Sequence, residues 1–315
     1  MKRIGNLYNK ICSLDNLILA ENKARKGKIK QKDIIKFDLN KKENLIKLNK
    51  QLINNEFKNS KYHVFKIFEG KERIIYKLPY YPDRIVHHAI LNILEPIFVS
   101  CFTSNTYSCI KNRGIYKASK NLIKSLKDTE HTQYCLKLDI QKFYPNIDNY
   151  ILKELLKNKF KDIELLNLLF EIIDSTKGLP IGNYTSQFFA NFYLTYFDHY
   201  IKEQLKIKYY FRYCDDLVIL HSNKEYLHNL RKEITNYLVI NLNLNIKPNY
   251  QIFPVNKRGI DFLGYKFYHT HVLLRKTIKN NFIKMIKYNK NKKSIIAYNG
   301  WLKHGNCINL KTKYL

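Results

Sequence analysis

The sequence predicts an α+β protein, and three observations carry that reading. Apolar residues recur at helical spacing through the first 60 positions. Two later segments, 134–140 and 209–220, are short, aromatic and β-branched, as strands are. About fifty residues at the C-terminal end then return to a helical, lysine-rich pattern.

The elements follow in chain order. Leu7, Ile11 and Leu14 open the helical series, positions 34–37 continue it, and Leu45, Ile46, Leu48, Leu52 and Ile53 mark a further helix. Residues 62–80 read as two strands joined by a hairpin turn at Gly70-Lys71, followed by a helix from Asp83 to about Phe98. The strand at 134–140 carries Asp139 near its end. Asp148 is placed as an N-cap, with Ile151, Leu152, Leu155, Leu156 and Phe160 on one face of the helix behind it. A long helix after Thr185 sets Phe188, Phe189, Phe192, Tyr193 and Tyr196 on its apolar side. In 209–220, two strands flank Cys214-Asp215-Asp216 at a tight link.

The adjacent acids Asp215 and Asp216 interrupt a segment that otherwise favours burial. A strand holds charge there at high cost unless the carboxylates face a cleft and meet a cation. Many Asp-Asp pairs are merely solvated turns, but Asp139 ends a second strand in a comparable place. If the two strands lie side by side, their carboxylates converge and repel unless a cation separates them. Two divalent ions about 3.5–4 Å apart would suit an in-line phosphoryl displacement.

An ordered series of motifs resembles that of reverse transcriptases. Lys137-Leu138-Asp139-Ile140, continuing through Phe143-Tyr144 to Asp148, resembles the first catalytic motif of the palm. Gly178-Leu179-Pro180-Ile181-Gly182 with Ser186-Gln187 resembles the second, and Tyr213-Cys214-Asp215-Asp216 the third. Leu244-Asn245-Ile246-Lys247 resembles the fourth, and Gly259 through Phe262-Leu263-Gly264-Tyr265 the primer-grip region. The resemblance runs from about Lys71 to the C-terminal end. Ile181-Gly182 stands where many members carry Gln-Gly. With Ser186-Gln187 it is similar to the reverse transcriptases of diversity-generating retroelements, as are Pro82-Asp83-Arg84 and Gly300-Trp301-Leu302. Cys214 departs from the Met often found in that group. Related forms also occur among antiphage-defence reverse transcriptases.

The resemblance implies a right-hand polymerase fold. Residues 1–129 would be an N-terminal extension and fingers, 130–265 the palm, and 266–315 a short helical thumb, with no separate RNase H or endonuclease domain. It implies RNA-directed DNA polymerase activity with two Mg²⁺ ions, or Mn²⁺ in their place, held by Asp139, Asp215 and the Ile140 carbonyl, with Asp216 in support. Arg73, Arg84, Tyr144, Ile181, Gly182, Gln187 and Lys247 would meet the incoming dNTP. Tyr144 would be the steric gate against ribose, and Lys247 would assist pyrophosphate departure unless it is a surface lysine. Phe262, Leu263, Gly264, Lys276 and Lys279 would hold an RNA/DNA duplex. Lys284, Lys287, Lys290, Lys292 and Lys293 extend that basic stretch, as on any solvated helix. Ile181, apolar where a Gln amide is usual, implies error-prone copying, above all opposite template adenines. The alternatives are a defence enzyme on a dedicated noncoding RNA, and a non-catalytic RNA-binding protein. A small basic helical accessory protein is the partner expected for the retroelement.

Composition agrees. The chain has 56 Lys and Arg against 26 Asp and Glu, a formal net charge of +30 over 315 residues. That excess favours a polyanionic partner, here an RNA template, although lysine-rich coding contributes to it. Arg25, Lys26, Lys28 and Lys30 lie in the densest basic run, an RNA-contacting arm or a solvated loop. Six cysteines without metal-ligand spacing imply reduced thiols. His87-His88 and the pair His269 and His271 lack ligating companions. No signal-peptide pattern or membrane-length apolar run is present, so a cytoplasmic protein without membrane contact is expected.

Overall fold

The structure is a computed structural model that describes residues 3–68, 70, 72–288 and 291–314. Helices α1 (Tyr8–Cys12), α2 (Leu14–Ala24), α3 (Lys32–Asp38) and α4 (Lys41–Ile53) come first, then strands β1 (His63–Phe68) and β2 (Glu72–Lys77). Next are α5 (Ile85–Cys101), α6 (Gly114–Leu126), β3 (Tyr134–Asp139), α7 (Phe143–Asn146), α8 (Asn149–Lys157) and α9 (Ile163–Ile173). The chain continues through α10 (Tyr184–Tyr193), α11 (Thr195–His199), β4 (Tyr209–Tyr213), β5 (Asp216–His221) and α12 (Lys224–Leu242). It ends with β6 (Gln251–Pro254), α13 (Val255–Arg258), β7 (Ile260–Phe262), β8 (Tyr265–Phe267), β9 (Val272–Leu274), α14 (Lys276–Tyr288), α15 (Lys292–Leu302) and α16 (Ile308–Tyr314). This is the expected α+β class.

The chain divides into two compact units. The first comprises residues 1–103, 141–196 and 238–244. Its core includes Ile11, Leu17, Leu48, Leu52, Ile90 and Leu94, all fully buried. Ile11, Leu48 and Leu52 stand where helical spacing expects them, whereas Leu14, Ile46 and Ile53 of the same spacing are exposed, because they lie off the buried faces of their helices. Each such aliphatic side chain contributes roughly 1.5–3 kcal/mol by leaving water. Phe98 of α5 meets Phe160 edge-on at 5.9 Å and Phe192 of α10 at 5.1 Å. Asp148 caps α8 as its sequence position predicts, its carboxylate accepting the Tyr150 and Ile151 N–H groups at 2.9 and 3.3 Å. β1 and β2 pair antiparallel across Gly70, whose φ of +71° suits a turn, while Lys71 lies outside the described residues.

The second unit comprises 104–140, 197–237 and 245–315. A four-stranded antiparallel sheet, in the order β4-β5-β3-β6, is its centre, and a three-stranded sheet β7-β8-β9 accompanies it. Phe211, Val218, Leu220, Phe253, Phe262 and Phe267 belong to one core cluster of this unit.

Three local expectations are corrected. The regular part of α5 begins at Ile85, not Asp83, because a wider turn at Tyr80–Arg84 precedes it. Pro82 has no N–H to give to a regular helix there. The helix after Thr185 begins at Tyr184 and breaks at Leu194, where ψ is 2°, before α11. Asp216 is no link residue. It opens β5 because Tyr213 pairs with it and closes a two-residue turn at Cys214-Asp215.

Candidate active site

The second unit assembles the acids. β3 and β5 pair antiparallel with Asp139 directly opposite Asp216, so the two carboxylate-bearing residues face across adjacent strands as the sequence reading required. Asp215 occupies the tip of the β4–β5 turn, and its carbonyl accepts the Ile140 N–H at 3.1 Å. The preceding residue, Cys214, has φ +58°, a left-handed conformation uncommon for a residue with a Cβ. Main-chain bonds continue to the next segment: the Lys247 N–H donates to the Asp139 carbonyl at 2.8 Å.

Two lysines answer the negative charge. Lys247 pairs through its Nζ with Asp139 Oδ1, and Lys137 Nζ lies 3.5 Å from Asp216 Oδ2. Lys137 also donates to the Asp261 carbonyl. Lys137 and Asp139 are two residues apart on β3 and therefore share a face. Asp216 Oδ1 is buried with no hydrogen-bond partner, and the Lys247 ion pair on Asp139 Oδ1 lacks hydrogen-bond geometry. Burial pushes the Asp215 carboxyl up, and the Asp139 charge adds to it. Burial also pushes Asp216 up to about 6, with Lys137 opposing the rise and Asp139 adding to it.

Among the described residues, no three acid, His or Cys side chains are already gathered as a metal cage. The donor set nonetheless fits a divalent cation. Asp139 and Asp216 are paired in one sheet with Asp215 in the adjoining turn, and two of their buried oxygens, Asp139 Oδ1 and Asp216 Oδ1, make no hydrogen bond. Oxygen-only ligands of this type suit Mg²⁺ or Mn²⁺.

A cavity of about 890 Å³ opens beside Asp139, and its lining includes Lys137, Arg258, Lys266, Arg275, Lys276 and Lys279. Lys276 and Lys279, singled out in the sequence, thus line the same cavity as Asp139. Leu263 is half-buried and left-handed at φ +53°. Gly264, at φ +84°, packs against Trp301 so closely that a Cβ would collide with the indole. Phe262 corrects the expectation of a nucleic-acid contact. Its ring is 0% exposed, because β7 turns it into the core.

The first unit gathers another set. The Tyr76 N–H of β2 donates to the Ile181 carbonyl at 2.8 Å. Gly182, at φ +130°, lies against the Tyr76 carbonyl where no side chain would fit. The Leu179 N–H donates to the Tyr144 carbonyl at 2.9 Å, so Tyr144 is tied to the segment whose Ile181 and Gly182 lie against β2. Arg73 is an exposed residue of that strand, and Gln187 is exposed on α10. Arg84 and His87 line a cavity of about 120 Å³ with Gly182, Asn183 and Tyr184.

The basic run is no extended arm. It leaves the end of α2 in hydrogen-bonded turns, with Lys28 N–H on the Arg25 carbonyl at 2.9 Å. The Arg25 guanidinium is tied to Glu21 and to Asp38, whereas Lys26 and Lys30 are exposed. Lys28 is half-buried, and its pKa is lowered by burial and by Arg84.

Sequence reasoning passed over Lys137, Arg212 and Asp198. A lysine two positions before Asp139 and an arginine inside the apolar β4 were available signals, since a strand interior excludes unpaired charge. Asp198 gave none. All six cysteines are free. Among the described residues, no helix is long and apolar enough to cross a membrane.

A profile of the family described as reverse transcriptase (RNA-dependent DNA polymerase) matches residues 57–267. Protein YkfC of Escherichia coli (strain K12) is 23% identical over 234 residues, covering 60% of this chain and 61% of that protein. Group II intron-encoded protein LtrA of Lactococcus lactis subsp. cremoris is 24% identical over 143 residues, covering 42% of this chain and 23% of LtrA. The chain thus spans less than two thirds of either relative. Among solved structures, apo telomerase from Candida tropicalis, truncated from its C-terminal domain, superposes with a TM-score of 0.56 at 12% identity. That match covers 70% of this chain and 55% of the telomerase chain. Telomerase from Candida albicans with a fragment of telomeric RNA gives 0.52 at 10% identity, covering 76% and 52%. These likenesses establish the right-hand polymerase fold. With more than half of its length matched by the family profile, the chain belongs to the reverse transcriptase (RNA-dependent DNA polymerase) family.

Proposed function

We propose that this chain copies RNA into DNA, as the error-prone reverse transcriptase of a bacterial or phage diversity-generating retroelement. The observation that carries the polymerase reading is Asp139 opposite Asp216 across β3 and β5, with Asp215 at the adjoining turn. Asp139, Asp215 and the Ile140 carbonyl, with Asp216 alongside, would hold two Mg²⁺ ions. When bound, these supply Lewis-acid stabilisation of the triphosphate and a more acidic primer 3′-hydroxyl.

The chain's own residues do the positioning. Lys137 and Lys247 keep the carboxylates ordered through their ion pairs. The basic cavity beside Asp139 suits a duplex backbone, whose binding would weaken steeply with salt. Arg73 and Arg84 are assigned to the triphosphate, and Tyr144 to exclusion of the ribose 2′-hydroxyl. Lys247 is assigned to pyrophosphate departure.

The retroelement assignment rests on Ile181-Gly182 followed by Ser186-Gln187. At Ile181 the main chain is fixed by Tyr76, and the side chain offers apolar contact alone. Losing a polar group that reads base-pair geometry narrows the gap between right and wrong nucleotides. A small basic helical protein is the partner expected with this role. A defence enzyme acting on its own noncoding RNA would share the chemistry.

One assay tests the set: primer extension on an RNA template with Mg²⁺, dNTPs and competing ribonucleotides. Wild type extends and Asp215→Asn does not. Tyr144→Ala admits ribonucleotides, and Ile181→Gln lowers errors opposite adenine. Equal synthesis by wild type and Asp215→Asn would refute the polymerase assignment. Equal adenine error rates in wild type and Ile181→Gln would refute the fidelity assignment.

A further inference from the structure

The turn that carries Asp215 rests on a buried charge pair. Arg212 of β4 and Asp198 of α11 are both 0% exposed. An arginine inside an apolar strand persists only if its donors are matched. Here Nε donates to Asp198 Oδ1 at 2.7 Å and Nη2 to Oδ2 at 2.5 Å, a two-pronged pairing of fork and carboxylate. The Tyr210 hydroxyl donates to Oδ1 at 2.6 Å and the Thr106 hydroxyl to Oδ2 at 2.8 Å. Each carboxylate oxygen therefore accepts two hydrogen bonds.

One prong of the guanidinium points elsewhere. Nη1 donates to the Cys214 carbonyl at 3.0 Å. On the other side of the same residue, the Cys214 N–H donates to Ser108 Oγ at 3.1 Å. The segment bearing Ser108 is itself fastened along β4: Arg212 N–H donates to the Asn105 carbonyl at 3.0 Å, and Tyr107 N–H to the Arg212 carbonyl at 3.1 Å. Both peptide groups of the left-handed Cys214 are thus gripped immediately before Asp215.

We infer that Arg212, anchored by Asp198 and assisted by Ser108, is the positioning residue of the turn and sets the direction of the Asp215 carboxylate. The inference rests on the polymerase reading above. Apolar residues of similar volume would fill the space without loss of stability, so a fold-only explanation does not require the charge pair. Arginine alone combines a rigid fork on Asp198 with a further donor on the turn, whereas a lysine ammonium is a single point charge. A carboxylate displaced by about 1 Å costs on the order of 100-fold in rate.

The test compares wild type, Arg212→Lys and Ser108→Ala in three measurements. These are thermal melting, single-nucleotide extension against Mg²⁺ concentration, and Mn²⁺ binding to the nucleic-acid-free protein by electron paramagnetic resonance. Arg212→Lys is expected to lower kcat roughly 10- to 100-fold. It should also raise the half-saturating Mg²⁺ and weaken Mn²⁺ binding several-fold, in the folded protein. Ser108→Ala should move the same quantities in the same direction by less. Wild-type Mg²⁺ dependence and Mn²⁺ affinity in folded Arg212→Lys would overturn the inference. If Arg212→Lys does not fold, unchanged values in Ser108→Ala overturn it instead. A wild type that binds Mn²⁺ yet extends no primer sinks the polymerase reading, and the Mn²⁺ affinities then decide the inference alone.

Discussion

Asp198 and the Asp139–Asp216 pair lie in the same unit and have opposite surroundings. Asp198 is fully buried, and both its oxygens are filled by Arg212, Tyr210 and Thr106. The Asp139 and Asp216 side chains keep 38% and 28% exposure, and each leans on one lysine. Asp216 Oδ1 has no hydrogen-bond partner. The difference separates two uses of a carboxylate. One is closed off and holds the chain, while the other keeps an oxygen without a hydrogen-bond partner, which on the polymerase reading proposed above would receive a cation.

Substitution should separate these uses. Asp139→Asn is expected to lower primer extension on the order of 1,000-fold, the equivalent of several kcal/mol of metal-dependent stabilisation. Its urea midpoint should not fall, and a protein that instead melts early would erase the contrast. Asp198→Ala should do the reverse, destabilising the fold by about 3–5 kcal/mol because Arg212 is left buried without its partner. A urea titration reads this directly, and a loss below 1 kcal/mol would show that the pair is not a structural clamp.

A pH series sharpens the same contrast. The Asp216 carboxyl is raised by burial to about 6 in the folded protein, above its ordinary value of 3.8. Between those two values the folded chain holds a proton that the unfolded chain has lost. Metal-free stability should therefore fall as pH rises from about 4 to about 6. Asp216→Asn should flatten that slope in urea titrations with chelator present, and an unchanged slope would reassign it. The smallest effect belongs to Asp148, whose capping bonds are local: Asp148→Ala should cost about 1 kcal/mol, without altering metal-dependent activity per folded molecule.

Local pattern made much of the fold legible. Helical spacing located α1, α3, α4 and α8 but not α2, and the apolar runs located β3 and the β4–β5 hairpin, because side-chain period reports which face is buried. The motif resemblance, not the spacing, assigned Phe262 to the nucleic acid, and that position proved to be a core position. Spacing missed β7–β9, whose three-residue strands are too short to show a period. Arg25 looked like part of a free basic run, but Glu21 one helical turn earlier and Asp38 thirteen residues later claim its guanidinium. Composition cannot reveal such pairings.

The sequence by itself determined which residues are acids, which apolar runs form β3 to β5, and that a basic chain carries a small acidic centre. Those properties are local or additive, so order along the chain is enough to read them. Only the tertiary structure decided that Asp139 faces Asp216, that Lys137 and Lys247 attend them, and that Arg212 reaches both Asp198 and the Cys214 carbonyl. Register and long-range ion pairing depend on how distant segments pack. In an antiparallel ladder, a shift of one residue would have turned either acid to the other face.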